Sequence, residues 1–121
     1  MNKLTIIGNL VKNPEMRTTA AGVNVCGFTV AVNRRKTQNN PDPGADYFNV
    51  SAWRSMGENC GKYLLKGSKV CVVGSVTVRT WDKEDKHGAS LEVTADDVEF
   101  LSSPVDPETG MKIVKPDELP Y

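Results

Sequence analysis

A chain of 121 residues and 13.2 kDa has room for one domain with a single modest core. Its 39% hydrophobic and 25% charged residues are typical of soluble globular proteins, and no apolar run approaches the ~20 residues of a membrane-spanning helix. The sequence starts with a strand-like pattern and not with a signal-peptide core, and its three cysteines are widely spaced. We therefore expect a cytoplasmic protein with reduced thiols.

The formal net charge of zero conceals an asymmetry along the chain. Residues 1–81 hold eleven Lys and Arg against four Asp and Glu, whereas residues 82–121 hold four against eleven. The two parts therefore carry net charges of +7 and −7. A basic body beside an acidic remainder predicts a surface that binds a polyanion.

The hydrophobic pattern predicts an all-β chain with one short helix. Residues 3–10 alternate apolar and polar side chains, as a half-buried strand does. After a break at Pro14, residues 15–19 can resume an extended conformation, and residues 20–22 form a turn. Residues 24–33 alternate again and predict the next strand.

The middle of the chain predicts a loop, a strand and the helix. Residues 34–45 contain two prolines without apolar periodicity, which indicates a flexible hairpin loop. Residues 46–54 alternate as a strand does, and residues 56–66 place apolar side chains on one side of a helix. Gly67 is a candidate for the residue that follows the helix end.

The last predicted elements are a long hairpin and a tail. Residues 69–80 form a strand, residues 82–88 a charged loop, and residues 91–100 the final strand. The apolar positions of that strand change parity near Asp96, which predicts a β-bulge. Residues 104–121 hold four of the seven prolines and predict a disordered tail.

Large aromatic side chains lie on the face of two strands that should be polar. Tyr47 and Trp53 share such a face with an amide and a hydroxyl side chain, and Trp81 shares its face with Arg79. Because every nucleobase has a π-face, such rings can stack bases without reading sequence, at about 1–3 kcal/mol per base. The alternative is that the rings cover a second small core or an oligomer interface.

Basic side chains are interleaved with these rings. The candidates for phosphate contacts are Lys3, Arg34, Arg35, Lys36, Arg54, Lys66 and Arg79. Cations that follow a phosphate backbone predict affinity that falls steeply with salt. Each of them, taken alone, is also an ordinary solvated surface charge.

The sequence contains few residue patterns that would indicate catalysis. His87 is the only histidine, and the cysteines lack the C-x-x-C spacing of a zinc site. Asp96, Asp97 and Glu99 could suggest a metal-dependent nuclease, but a polar bulge explains them more simply. Because a nucleophile elbow and a P-loop are also missing, we expect a non-enzyme without metal or cofactor.

The last five residues, Asp117, Glu118, Leu119, Pro120 and Tyr121, form a candidate peptide ligand. A basic pocket with an apolar slot could take the terminal carboxylate and the ring together. An ordinary frayed terminus is the alternative.

Together these patterns resemble the bacterial and phage single-stranded DNA-binding protein family, SSB, in which stacking on aromatic side chains is well established. The resemblance is carried by residues 2–10, 13–17, 28–34, 47–50 and 63–70, followed by Trp81 and the acidic tip. The stretch Tyr-Leu-Leu-Lys-Gly-Ser-Lys-Val is the most specific of these. Where some members carry a further tryptophan after the second strand, this chain has a run of basic residues, which predicts steeper salt dependence.

The resemblance implies a five-stranded OB-fold barrel over residues 1–103, with the helix between the third and fourth strands, and a tail over 104–121. It implies a homotetramer in the nucleoid that wraps single-stranded DNA. Tyr47, Trp53 and Trp81 match its base-stacking positions, and Lys66 and Arg79 its DNA path. The tip matches the segment that recruits replication, recombination and repair proteins.

Two further hypotheses keep the fold but change the role. In the first, the protein is an adaptor of a replication-restart complex, and the aromatic face is a protein interface. In the second, it binds RNA, because stacking does not distinguish the two sugars unless a group contacts the 2′-hydroxyl.

Overall fold

The structure, a computed structural model, describes residues 1–102 and contains six strands and one helix in that part of the chain. The strands are β1 (Leu4–Leu10), β2 (Glu15–Thr18), β3 (Asn24–Asn33), β4 (Ala45–Trp53), β5 (Lys69–Lys83) and β6 (Lys86–Phe100), and the helix is α1 (Arg54–Tyr63). The predicted all-β class with one helix is confirmed. The predicted tail with its tip, Asp117 to Tyr121, lies outside the described residues.

Five of the strands close into a barrel. The sheet order is β1-β5-β6-β4-β3-β2, and β1 also pairs with β3 at Asn9–Ala31 and Leu10–Val30, which closes the ring. β4 and β6 run parallel, whereas the other neighbours are antiparallel. β2 lies at the end of this order, beside β3. The OB-fold barrel is therefore confirmed, with β2 as a short additional strand and α1 between β4 and β5.

The barrel core is built from the apolar positions of the alternating strands. Its fully buried side chains include Val30 on β3, Val50 on β4, Val72 on β5 and Val93 on β6. Burying one such side chain contributes about 1.5–3 kcal/mol, so each member of this row stabilises the barrel. The helix closes the barrel and adds Cys60 to the core.

A β-bulge restores the inward side chains of β6. Val73 pairs with Asp97 and Gly74 pairs with Ala95, so Asp96 is left without a partner on β5. The bulge predicted from the parity change is therefore confirmed. A Cβ at Gly74 would collide with the carbonyl oxygen of Thr94, which explains the glycine at this position.

The predicted charged loop over residues 82–88 is wrong. β5 and β6 stay paired as far as Lys83 and Lys86, and the turn consists of Glu84 and Asp85 alone, with φ +57° at Glu84. We call residues 77–90 the arm, since both strands leave the barrel there. The residues of β5 from 77 to 83 are all exposed. Backbone hydrogen bonds between β5 and β6 therefore hold this segment together, and no buried face supports it.

The helix is displaced from its predicted bounds. It starts at Arg54 and ends at Tyr63, so Gly67 is not the residue that follows the helix end. Gly67 has φ +90° and donates its N–H to the carbonyl oxygen of Leu10 at 2.8 Å. The glycine therefore allows the chain to turn in the connection between α1 and β5. No helix within residues 1–102 is long and apolar enough to cross a membrane.

Candidate nucleic-acid interface

The outer face of β4, the side turned away from the core, carries two of the three predicted rings. Tyr47 is 60% exposed and Trp53 is 40% exposed. Their partners on β3 are Ala31 and Val25, at opposite ends of the ladder. Six residues of a strand span about 20 Å, so the two rings lie far enough apart to contact different bases.

Trp81, the third ring, lies on the arm. It is 48% exposed, and its partner on β6 is Gly88. A Cβ at Gly88 would collide with the indole, so the ring lies directly on the glycine backbone. The sequence pattern placed Trp81 on the polar side of β5, and the structure keeps it there, away from the core.

A ladder of hydrogen bonds crosses the outer face between the rings. Thr29 of β3 donates its hydroxyl to Asn49 Oδ1 at 3.0 Å. Asn49 Nδ2 donates to Glu92 Oε1 of β6 at 3.5 Å, and the hydroxyl of Ser90 donates to the same oxygen at 3.0 Å. The ladder holds polar side chains of three strands in fixed orientations.

A groove of about 170 Å³ borders this ladder. Its polar lining comes from β2, β3, β4 and β6, together with the segment that leads into β2: Lys12, Glu15, Arg17, Thr29, Asn49, Ser51 and Glu92. The ammonium of Lys12 lies 3.7 Å from a carboxylate oxygen of Glu15, and both side chains are well exposed. The groove therefore combines hydrogen-bonding groups with two cations that the sequence did not single out.

The predicted phosphate-contacting side chains surround this face without forming one cluster. Arg35 and Lys36 are exposed in the loop between β3 and β4, and Arg79 is exposed on the arm. Lys3 precedes β1, and Lys66 follows the helix; both are exposed. Six of the seven predicted cations make no ion pair within residues 1–102; the seventh is Arg34.

Arg34 is bound to a carboxylate. Its Nη2 lies 2.8 Å from Asp46 Oδ1, and its Nε donates to the same oxygen at 2.9 Å. The hydrogen bond and charge of Asp46 raise the pKa of the Arg34 guanidinium. The pair joins the two ends of the loop, so Arg34 offers less free charge to a phosphate than its neighbours do.

Arg54 has an unusual backbone conformation. It follows Trp53 and has φ +60°, in the left-handed region that non-glycine residues rarely adopt. The conformation turns the chain from β4 into α1, and Gly57 then packs so closely that a Cβ there would collide with the carbonyl oxygen of Ala52. The sharp turn thus places Trp53 at the end of the outer face.

The structure also locates the histidine and the cysteines that were considered for catalysis or a zinc site. His87 Nδ1 lies 3.0 Å from Asp82 Oδ1 across the arm, where both side chains are exposed. Cys26 and Cys60 are buried, and burial raises the pKa of their thiols to about 11 and about 12. Within residues 1–102, no group of three or more His, Cys, Asp or Glu side chains is placed to hold a metal ion.

Sequence reasoning missed five charged or hydroxyl-bearing residues of the groove, namely Lys12, Glu15, Arg17, Thr29 and Glu92. Thr29 and Glu92 flank Asn49 only because β4 pairs with β3 on one side and with β6 on the other. A signal existed for both, since each is polar at an outward position of its strand. Locating them beside Asn49 would have required the register of all three strands.

Residues 1–101 match the single-strand binding protein family. The chain is 40% identical over 102 residues to single-stranded DNA-binding protein 1 of Staphylococcus aureus, covering 84% of this chain and 65% of that protein. It is 42% identical to single-stranded DNA-binding protein 2 of Listeria monocytogenes, covering 84% and 64%. The chain thus spans slightly less than two thirds of the length of these relatives.

A solved structure agrees with the sequence comparison. The small single-stranded DNA-binding protein from Streptomyces coelicolor superposes with a TM-score of 0.72 at 28% identity, covering 83% of this chain and 95% of that one. The fold, the outward rings and the sequence similarity lead to one conclusion. The chain belongs to the single-strand binding protein family.

Proposed function

We propose that this protein binds single-stranded DNA without sequence selection and has no catalytic activity. Tyr47, Trp53 and Trp81 stack bases, while exposed cations contact the phosphates. The observation that carries the proposal is the exposure of three large aromatic rings on outward faces of β4 and the arm. Each stacked base contributes about 1–3 kcal/mol whatever its identity, so the strand is held without a sequence code.

The proposed phosphate contacts are Lys3, Arg34, Arg35, Lys36, Arg54, Lys66 and Arg79. The side chains other than Arg34 support this role by being exposed and unpaired within residues 1–102. Each phosphate neutralised on a single strand adds about −0.7 to the slope of log affinity against log salt. Arg34 should contribute less than Arg35 or Lys36, because Asp46 already holds its guanidinium.

Self-association into a homotetramer is part of the proposal. Within the described chain, β1 pairs with β3 only at Asn9 and Leu10, which leaves the edge at residues 4–8 without a strand partner. Ile7 is 52% exposed there, beside the partly buried Cys71 of β5. An open edge beside an exposed apolar side chain suits pairing with a second copy. Ile7→Glu should lower the mass measured by sedimentation equilibrium, and an unchanged mass would contradict this assignment.

Recruitment of replication, recombination and repair proteins through Asp117 to Tyr121 is supported by the sequence of the tip. Deleting those five residues should abolish partner pull-down. It should leave DNA affinity equal or higher, because an acidic segment can compete for the basic surface. Lost DNA affinity after the deletion would contradict this role. The same proposal places the protein on exposed DNA strands in the cytoplasm.

Tryptophan fluorescence tests the central proposal. Trp53 and Trp81 are the only tryptophans, so titration with oligo-dT reports on both candidate stacking residues. We expect strong quenching by the single strand that weakens with salt, and none by a duplex of equal length. Absence of quenching in the folded protein would favour the adaptor hypothesis, and equal affinity for oligo-U and oligo-dT would favour RNA binding.

A further inference from the structure

The outer face carries a carboxylate that no protein cation neutralises. Glu92 lies beside Asn49 on the neighbouring strand and lines the groove with Lys12 and Arg17. No Lys, Arg or His nitrogen of residues 1–102 lies within 4.0 Å of it. A phosphate would be repelled by this negative charge, so the carboxylate favours a different part of a nucleotide at its position.

The carboxylate of Glu92 is held by two donors that leave one oxygen free. Ser90 and Asn49 both donate to Oε1, at 3.0 and 3.5 Å. The orientation of the Asn49 amide is set in turn by Thr29, whose hydroxyl donates to Asn49 Oδ1. Within the described residues, Oε2 of Glu92 accepts no hydrogen bond. The face therefore presents a positioned, charged acceptor with unused capacity.

We propose that Glu92 discriminates between bases by accepting a hydrogen bond from an exocyclic amino group. This inference rests on the proposed function, in which bases stack on the rings that flank the ladder. The amino group at N4 of cytosine is a natural donor to a carboxylate. Thymine instead has a carbonyl oxygen at that position, which a carboxylate repels. Glu92 thus favours the amino-bearing pyrimidine at one base position.

The effect is a bias at one position and not a sequence code. A hydrogen bond to a charged group contributes more than one between neutral groups, and 1.4 kcal/mol corresponds to a tenfold change in affinity. We therefore expect about a tenfold effect from Glu92. Stacking and phosphate contacts still supply most of the affinity, so binding to all sequences is preserved.

Two oligonucleotides of equal length vary the amino group while keeping the ring methyl group. Oligo-(5-methyl-dC) and oligo-dT carry the same ring methyl group and differ at the amino or carbonyl position and the adjacent ring nitrogen. Their dissociation constants are measured with the intact protein and with Glu92→Gln, after circular dichroism has shown that the variant is folded. The ratio of Kd for oligo-dT to Kd for oligo-(5-methyl-dC) should be about tenfold higher in the intact protein.

Glu99→Gln is the matched control. Glu99 is exposed on the same strand, and its partner on β5 is Cys71, away from the groove. Both variants lose one negative charge, which by itself should tighten the binding of both oligonucleotides. Only Glu92→Gln also loses the charged acceptor for the amino group, so only that variant should change their ratio. Glu92→Asp, which keeps the charge and withdraws the carboxylate by one methylene, should also lower the ratio and serves if Glu92→Gln does not fold.

The outcomes separate this inference from the proposed function. An equal ratio in the intact protein and in the Glu92 variants would overturn base discrimination and leave Glu92 as a residue that positions Asn49. Failure of the folded, intact protein to bind either oligonucleotide would instead overturn the proposed function. A ratio that changes equally in Glu99→Gln would show an effect of net charge alone and would also overturn the inference.

Discussion

The barrel and the arm present the same type of ring on very different supports. Trp53 ends a strand whose alternate residues are buried in the core, whereas Trp81 lies in a two-stranded segment whose residues on β5 are all exposed. A ring on the barrel is held by the core, and a ring on the arm is held by one backbone ladder and by Gly88. We therefore expect the proposed binding surface to be coupled to stability in the barrel and separate from it in the arm.

The largest expected difference is in the rate at which cysteines are modified at the barrel surface and in its core. Cys26 and Cys60 are fully buried, while Cys71 is only partly buried. At neutral pH a thiol reagent should modify Cys71 first in the Ile7→Glu variant, in which the proposed interface beside Cys71 is open. The other two thiols should react at least about 10³-fold more slowly, because they need a global opening of about 5–15 kcal/mol. Mass spectrometry of the modified peptides measures the difference, and equal rates would show that the core opens locally.

The buried thiols also give stability a pH dependence. Folding raises the pKa of Cys26 from 9.0 to about 11 and that of Cys60 to about 12. The unfolded chain therefore loses these protons first, and the free energy of unfolding falls as pH rises from 9 towards 11. Chemical denaturation across this range should show the fall, and Cys60→Ala should make it shallower.

Gly74→Ala should strongly destabilise the barrel. Its Cβ would collide with backbone atoms of Thr94 at the bulge, and overpacking costs about 1–3 kcal/mol. Gly27→Ala is the control, because a Cβ at Gly27 meets no atom within 4 Å. Urea denaturation should place Gly74→Ala about 3 kcal/mol below the intact protein and leave Gly27→Ala nearly unchanged. Equal stabilities would mean that the bulge relaxes freely.

Replacing the two tryptophans tests whether binding and stability separate. Trp53→Ala and Trp81→Ala should each weaken the binding of oligo-dT by about 1–3 kcal/mol. Trp53→Ala should lower the free energy of unfolding more than Trp81→Ala does, because Trp53 ends a strand whose alternate residues are buried in the core, whereas Trp81 lies on the arm. The double variant should remain folded and bind most weakly, and unchanged affinity in the double variant would remove the stacking proposal.

The smallest expected effect is a difference in stability between two substitutions of Arg54. Its left-handed backbone costs an alanine about 1–2 kcal/mol, whereas glycine adopts it freely. After the greater entropy of glycine in the unfolded chain is counted, Arg54→Gly should be about 0.5–1 kcal/mol more stable than Arg54→Ala. Both variants lack the same charge, so their affinities for oligo-dT should agree; thermal unfolding measures the stability difference.

The strands could be predicted because alternation reports burial directly. The bounds of β3 and the bulge at Asp96 followed from side chains that must point inward. The outer part of the arm, residues 82–88, was predicted as a loop because its strands bury no face and the sequence there shows only a run of charge. The start of the helix at Arg54 was missed because the residue with the left-handed backbone conformation is not a glycine, so the sequence does not indicate a turn there.

Some residues of the candidate site could likewise be predicted from the sequence, and others could not. Rings on a polar face stand out in a single strand, so Tyr47, Trp53 and Trp81 could be chosen from the sequence, although their stacking role stays a prediction. Glu92 lies 43 residues from Asn49, and only the parallel pairing of β4 with β6 brings them together. Contacts across three strands depend on register, which the alternation of any one strand does not specify.

β5 is one continuous strand that passes from the barrel into the arm. Isolated two-stranded hairpins are marginally stable in water. The backbone amides of β5 should therefore exchange their hydrogens at very different rates in the barrel and in the arm. Amides near Val72 should exchange only through global unfolding, and those near Trp81 through fraying of the arm tip. We therefore expect the arm to bend relative to the barrel near Gly74 while the barrel itself stays closed.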